Sequence, residues 1–199
     1  QPRSTLFPYT TLFRSMGIPS SGGPLLVEVG GGGALWRVQI RRGAGNLLDL
    51  ETVEALAHLF EEARGESRLC TLLLTAEGPD FSLGAEPAEL MPGRVERFLP
   101  AFFGLIERML DSSLFLIAAL RGRCLGAGLE LISVFGRIYA APEVRVGLPQ
   151  LELGLIAPVA SLTLPERIGT PAALELCASA HIKRADEASW VGLVDHVVA

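Results

Sequence analysis

The stretch Gly126-Ala127-Gly128-Leu129-Glu130 holds the residue types needed for an anion site with an acid or base attached. An apolar run over 114–120 leads into this glycine-paired turn, and an amphipathic run follows it. Glycines let backbone N–H groups face outward, with no Cβ in the way of a closely approaching ligand. A helix starting there adds its positive end, which favours an anion or a developing oxyanion. Glu130 falls in the first turn of such a helix, beside whatever the backbone binds. Spacing alone leaves it two roles: a proton carrier, or a glutamate that only complements the helix dipole.

Other polar residues point less clearly to chemistry. His58 lies among charged residues of a helix and reads as a surface histidine. His181 and His196 are not at metal-ligand spacing, and no metal site is expected. Cys124 precedes the glycine turn, but no histidine matches it, so a packed core thiol is the better reading. Ser161 lacks a G-x-S-x-G context. The four glycines 30–33 have no Lys-Ser/Thr and no helix after them, which makes them a turn and not a phosphate loop.

The chain has 199 residues, 49% hydrophobic and 20% charged, which suits one globular domain with a sizeable core. A net charge of −5 without a Lys/Arg cluster argues against nucleic acid as a partner. No apolar run reaches membrane-span length. Three cysteines without CxxC spacing suggest reduced thiols and a cytoplasmic protein. Residues 1–15, QPRSTLFPYTTLFRS, have neither helical nor strand period and no signal-peptide centre. They resemble translated adaptor sequence, so Met16 is taken as the start and 16–199 as the domain.

Two strand-like runs, 25–29 and 35–40, flank the glycines as a hairpin. Asp49 is placed to cap a helix over 50–64. LCTLLLT (69–75) reads as a buried parallel strand. Then come a turn at 78–80, a helix over 97–110, a strand at 114–120, a helix over 129–135, a strand at 137–141 and a helix within 166–178. Alternating strands and helices imply an α/β fold with mostly parallel pairing. Ligands bind beyond the carboxyl ends of such strands, where both 81–86 and 126–130 fall.

At these residues the chain resembles the crotonase, or enoyl-CoA hydratase/isomerase, superfamily. FSLGAEPAEL (81–90), RGRCLGAGLEL (121–131), VGLPQLELGLIAPVASLTLPERIG (146–169) and GLVD (192–195) are similar to its blocks, in family order. Within the family, 45–49, 124–126 and 157–161 are most similar to the cyclohexa-1,5-diene-1-carbonyl-CoA hydratases. The resemblance implies a crotonase-like ββα spiral fold. It also implies an acyl-CoA thioester substrate with no separate cofactor, and a homotrimer or hexamer. Relatives continue with a helical C-terminal region, so truncation and exposed apolar surface on the C-terminal side are expected.

The resemblance further assigns the oxyanion-hole N–H groups to Ala85 and Ala127, with Gly84, Gly126 and Gly128 lining the substrate. It makes Glu130 the catalytic acid/base, its pKa raised by an apolar pocket. Where hydratases carry a second glutamate this chain has Gln150, which can orient water but cannot shuttle a proton. Glu130 alone, with Gln150 holding the water, still permits hydration. Glu152 is a second candidate if the stretch is extended. Glu86 reads as ordering its turn. Arg121 and Arg123 flank the active turn, either meeting CoA phosphates or solvated. An enoyl-CoA isomerase, needing one carboxylate, and a catalytically silent CoA-binding paralogue are the alternatives.

Overall fold

The computed structural model describes residues 14–15 and 23–198, so most of the leader expected over 1–15 lies outside the described residues. A short strand β1 (Arg14–Ser15) pairs antiparallel with β2 (Leu25–Gly30). The predicted hairpin joins β2 to β3 (Leu35–Ile40), with Leu25 opposite Ile40. Helix α1 (Leu50–Arg64) starts at the expected cap, where Asp49 Oδ1 accepts from Thr52 N–H at 2.9 Å. That bond satisfies one of the first-turn amides, which have no partner inside the helix. β4 (Thr71–Ala76), α2 (Val95–Leu110) and β5 (Phe115–Leu120) follow.

β3, β4 and β5 run parallel. Trp36, Val38 and Ile40 alternate into the core, in step with Leu72, Leu74 and Ala76 and with Leu116, Ala118 and Leu120. They share that core with Val53, Leu56 and Phe60 of α1 and with Phe102, Leu105 and Ile106 of α2. The LCTLLLT strand is therefore parallel, as its composition predicts, but buried on one face only. Thr71, Leu73 and Thr75 are half-buried on the other.

Beyond β5 the chain leaves the large sheet. β6 (Arg123–Leu125) begins a second, three-stranded sheet, and α3 (Ala127–Ile132) grows directly from it. β7 (Arg137–Ala140) returns to the large sheet beside β5, whereas β8 (Arg145–Gly147) joins β6. The 3-10 turn Pro149–Leu153 leads to α4 (Pro158–Ile168) and α5 (Thr170–Ser179). β9 (Ile182–Arg184), α6 (Ala185–Trp190) and β10 (His196–Val197) complete the described chain. The sheet orders are β1-β2-β3-β4-β5-β7-β10 and β6-β8-β9.

Three differences from the sequence reading have physical causes. The helix expected within 166–178 is α5, but a separate helix α4 that the sequence reading lacks precedes it. Gly169, at φ +79° and ψ 150°, divides the two, and Pro171 lies in the new first turn. Helix α3 begins two residues before the predicted 129, since the Gly126 turn passes straight into it, and ends at Ile132. The second sheet is not foreseen, because its three-residue strands are too short to show a period. The GLVD block has a structural explanation. Asp195 Oδ2 accepts from Ile138 N–H at 2.7 Å and from Arg167 Nη2 at 2.5 Å, and Arg167 also donates to the carbonyls of Phe135 and Leu193. This cluster fastens α4 to the edge of β7.

Ile156, Leu162, Leu174 and Trp190 are exposed, and so are Met91, Leu110 and Phe115 earlier in the chain, so exposed apolar residues are not confined to the C-terminal side. No helix among the described residues is long and apolar enough to cross a membrane.

Candidate active site

Two chain reversals meet beyond the strand ends. In the first, residues 45–48 run parallel to 83–86. Leu83 N–H donates to Gly45 O at 2.8 Å, Leu48 N–H to Gly84 O at 2.8 Å, and Glu86 N–H to Leu48 O at 2.9 Å. The C=O and N–H of a trans peptide point opposite ways. The Leu48–Gly84 bond therefore aims the Ala85 N–H away from 45–48. On that other side Ser82 pairs with β6, but the chain turns off at Gly126 before any strand reaches Ala85. Among the described residues the Ala85 N–H has no acceptor.

In the second reversal Gly126 has φ 53° and ψ −128°, the first central position of a II′ turn, which selects glycine. Its carbonyl accepts from the N–H groups of Leu129 and Glu130, and these bonds start α3. Ala127 is the first helical residue, so its N–H has no intrahelical partner, and no acceptor faces it among the described residues. The reversals pack glycine to glycine. A Cβ on Gly84 (φ +110°) would lie 3.5 Å from Ala127 N and 3.6 Å from Gly126 Cα. The structure thus brings Gly84, Ala85, Gly126 and Ala127 together. Gly128 sits beneath them against Ser82, where a Cβ would come within 2.7 Å of the serine Cβ.

Glu130, only 4% exposed, points from α3 towards the start of α4. Its Oε1 accepts from Val159 N–H at 2.9 Å and Ala160 N–H at 3.1 Å. Its Oε2 accepts from Gln150 Nε2 at 3.1 Å. Burial pushes the carboxyl up from 4.5 to about 7, against the opposing pull of these three donors. The other end of the same amide, Gln150 Oε1, is buried with no partner. Such an acceptor is costly unless something fills it.

These groups open on a cavity of about 420 Å³. Its apolar lining includes Leu83, Phe98, Leu99, Phe102, Leu153 and Ile156. The Phe98 and Phe102 rings lie 6.0 Å apart and nearly parallel, at 7°. Among the lining residues only Glu130 and Gln150 have polar side chains. A second cavity of about 430 Å³, lined by Arg37, Gln39, Thr75, Arg121 and Glu143, shares no lining residue with it and lacks both glycine turns.

Several sequence candidates fall elsewhere. Glu152 is exposed: 149–153 is a 3-10 turn with three residues per turn, so the shared face an extended strand would give Gln150 and Glu152 is lost. Arg121 lines the second cavity, and Arg123 is committed to Asp80 through Nε at 2.9 Å and Nη2 at 2.8 Å. Glu86 orders its turn through its backbone, its carbonyl accepting from Glu89 N–H at 2.9 Å. Cys124 is fully buried and its thiol pushed far up by burial, as suits a packing residue. His58 is exposed beside Glu62, Ser161 Oγ donates to the carbonyl of Pro158, and His196 stacks on Tyr139 at 5.1 Å. No group of three or more His, Cys, Asp or Glu among the described residues could hold a metal.

Sequence reasoning passes over the residues that brace the site. Asn46 Nδ2 donates to the carbonyls of Glu77 (2.7 Å) and Asp80 (2.9 Å), while its Oδ1 accepts from Arg42 N–H at 2.9 Å. Asp80 also accepts from Arg123 N–H at 2.9 Å, and the Arg123 guanidinium holds its carboxyl below the usual range. Loop 42–49, loop 77–86 and β6 are thereby tied into one unit. The sequence signal was limited to a turn-forming Asn and Asp.

Known proteins are similar to the chain in sequence and in fold. A family model described as enoyl-CoA hydratase/isomerase matches residues 31–199. Over 172 residues the chain is 37% identical to a cyclohexa-1,5-dienecarbonyl-CoA hydratase of Thauera aromatica, covering 86% of this chain and 67% of that protein. Among solved structures it is similar to an enoyl-CoA hydratase from Bacillus anthracis, at 26% identity and a TM-score of 0.83 over 88% of this chain and 70% of that one. DspI of Pseudomonas aeruginosa is similar at 26% identity and a TM-score of 0.84, over 91% and 76% of the two chains. With its ordered blocks, its α/β architecture and its paired glycine turns, this chain belongs to the enoyl-CoA hydratase/isomerase family of the crotonase superfamily.

Proposed function

We propose that this chain adds water to a conjugated enoyl- or dienoyl-CoA thioester, with cyclohexa-1,5-diene-1-carbonyl-CoA as the leading candidate. The observation that carries the reading is the pairing at the cavity floor. Two backbone N–H groups without an acceptor among the described residues, Ala85 and Ala127, belong to residues lining an apolar cavity whose polar side chains are Glu130 and Gln150. The thioester oxygen sits on the two N–H groups. Charge moves onto that oxygen as water attacks the double bond, and each donor aimed at it contributes about 3–4 kcal/mol to the transition state.

Water is held by two acceptors, Glu130 Oε2 and the unpartnered Gln150 Oε1. Both of its hydrogens are then engaged, and an oxygen lone pair is left for the substrate carbon. Glu130 takes one proton as the C–O bond forms and the electrons of the double bond pass to the thioester oxygen as an enolate. The enolate collapses as Cα takes that proton back, so one water is added and the carboxylate is restored. A carboxyl near 7 suits both halves, since neither giving nor taking the proton is then strongly uphill. Coenzyme A enters as part of the substrate.

Gln150 also favours a second reading. An enoyl-CoA isomerase needs only one carboxylate to move a proton between carbons, and Gln150 leaves only one here. Product mass separates the readings, after incubation with cyclohexa-1,5-diene-1-carbonyl-CoA and, separately, with crotonyl-CoA. A gain of one water on the diene supports the proposal, and a gain on crotonyl-CoA broadens the substrate class. Solvent deuterium uptake without added water selects the isomerase. No reaction on either thioester refutes both.

A further inference from the structure

Ser82 lies between the two turns and touches both. Its side chain is fully buried. Its Oγ donates to the carbonyl of Asn46 at 2.8 Å and accepts from the N–H of Gly84 at 3.2 Å. Its backbone bonds to the other turn: Ser82 N–H donates to Arg123 O at 3.1 Å, and Ser82 O accepts from Leu125 N–H at 2.9 Å. Its Oγ and Cβ support Gly128 so closely that an alanine there would collide with both, at 2.8 and 2.7 Å.

A buried hydroxyl is costly unless it is bonded, and an alanine would fill almost the same space. Here both bonding capacities of the hydroxyl go to backbone groups of the site. The bond to Gly84 N–H fixes the peptide plane between Leu83 and Gly84, and the Leu48 bond fixes the next plane, which carries the Ala85 N–H. Gly84, at φ +110°, is the pivot between these planes. Without the hydroxyl, the Gly84 N–H and the Asn46 carbonyl are left buried and unpaired, and the pivot is held on one side only, by the Leu48 bond.

We infer that Ser82 is a positioning residue of the oxyanion site: it fixes the pivot before Ala85 and sets the spacing of the Ala85 and Ala127 N–H groups. This rests on the reading that those two N–H groups receive the thioester oxygen. Ser82 is not among the residues that line the cavity.

The test is the carbonyl stretch of a bound, unreactive saturated acyl-CoA labelled with ¹³C at the thioester carbon, compared between the wild-type chain and Ser82→Ala. Loss of stability alone would not move this signal. In the wild type the bound stretch should fall below that of the free thioester in water, because the two donors polarise the carbonyl. In Ser82→Ala at least half of that displacement should vanish. With the conjugated substrate, kcat should fall about 10- to 100-fold, short of the full loss of one donor, while KM changes little. A wild-type stretch in Ser82→Ala overturns the role of Ser82 and leaves the donor pair standing. No displacement in the wild type, or no binding of the thioester, overturns the donor-pair reading itself. Ser82→Cys keeps a weak acceptor at the same Cβ, so it should fall between the two. If Ser82→Ala does not fold, an unchanged stretch in Ser82→Cys overturns the proposal.

Discussion

Replacing Glu130 by Gln should separate what the carboxylate does for the reaction from what it costs the fold. The gap between 4.5 and about 7 corresponds to about 3 kcal/mol, at 1.36 kcal/mol per pH unit. Below pH 4.5 the native and unfolded chains both carry the proton, and Glu130 contributes nothing to their difference. Between 4.5 and about 7 the unfolded chain ionises first, so native stability falls as pH rises. Above 7 the whole cost of the buried charge stands. An amide in the same place is neutral at every pH. Its oxygen can still accept from Val159 and Ala160, and the Gln150 amide can reverse to meet its NH₂. In urea unfolding, Glu130→Gln should therefore lie close to the wild type near pH 5. At pH 8 it should be more stable by up to about 3 kcal/mol. Comparing the two chains at each pH cancels every other titrating group. Turnover at pH 8 should fall about 10²- to 10⁴-fold, the usual worth of a general acid/base. A stability difference that does not grow between pH 5 and pH 8 would refute the buried, high-pKa carboxyl. Turnover that survives would refute its role as proton carrier.

Other perturbations address single contacts. Gln150→Leu removes a donor that lowers the Glu130 pKa, so the acid limb of kcat/KM should move to higher pH while kcat drops. A pH–rate profile checks both effects. Ala127→Pro deletes the N–H proposed as one oxyanion donor, at the first position of α3, where proline is tolerated. Thermal melting should stay near the wild type while kcat falls about 10²- to 10³-fold. Asn46→Ala removes three hydrogen bonds and leaves buried backbone groups unpaired. Urea unfolding should show a loss of about 2–4 kcal/mol, at roughly 1 kcal/mol per bond.

The parts of the site that the sequence revealed are those where backbone geometry restricts residue type. Gly84 and Gly126 stand at positive φ, which favours glycine, and a Cβ on Gly84 would also crowd the Leu125 carbonyl at 3.3 Å. The Gly126 turn could be read from its own residues, while Gly84 gained its role through the resemblance. The Asp49 cap was legible for a similar reason, as a local bond between neighbours. Ser82 reaches the Asn46 carbonyl 36 residues away and Asn46 reaches Asp80 34 residues away, while the bond from Gly84 N–H to Ser82 Oγ is one that any turn serine could make, so nothing local marks either residue out. Glu152 shows the opposite failure. A two-residue spacing implies a shared face only if the local conformation is known, and Pro149 starts a tight helical turn instead of a strand. That Glu130 is buried depends on α4 and the 149–153 turn closing over α3, a tertiary fact that no periodicity in 127–132 contains.

The two oxygens of Glu130 are not equivalent, and this limits how a single carboxylate can serve both halves of the reaction. Oε1 is held by the first turn of α4 through Val159 and Ala160, and protonating it would set a hydrogen against those two N–H groups. Oε2 has one donor, Gln150, which lines the cavity together with Glu130. On the proposed mechanism the proton must therefore arrive on Oε2 and leave from it. The same oxygen then collects it from water and delivers it to carbon, within reach of one face of the substrate. A second carboxylate at position 150 would relax that constraint by offering another carrier. A glutamine there keeps it, donating through Nε2 to the oxygen that carries the proton and accepting through Oε1 from the water that supplies it. The neutral side chain at 150 thus fits a site in which one oxygen handles every proton.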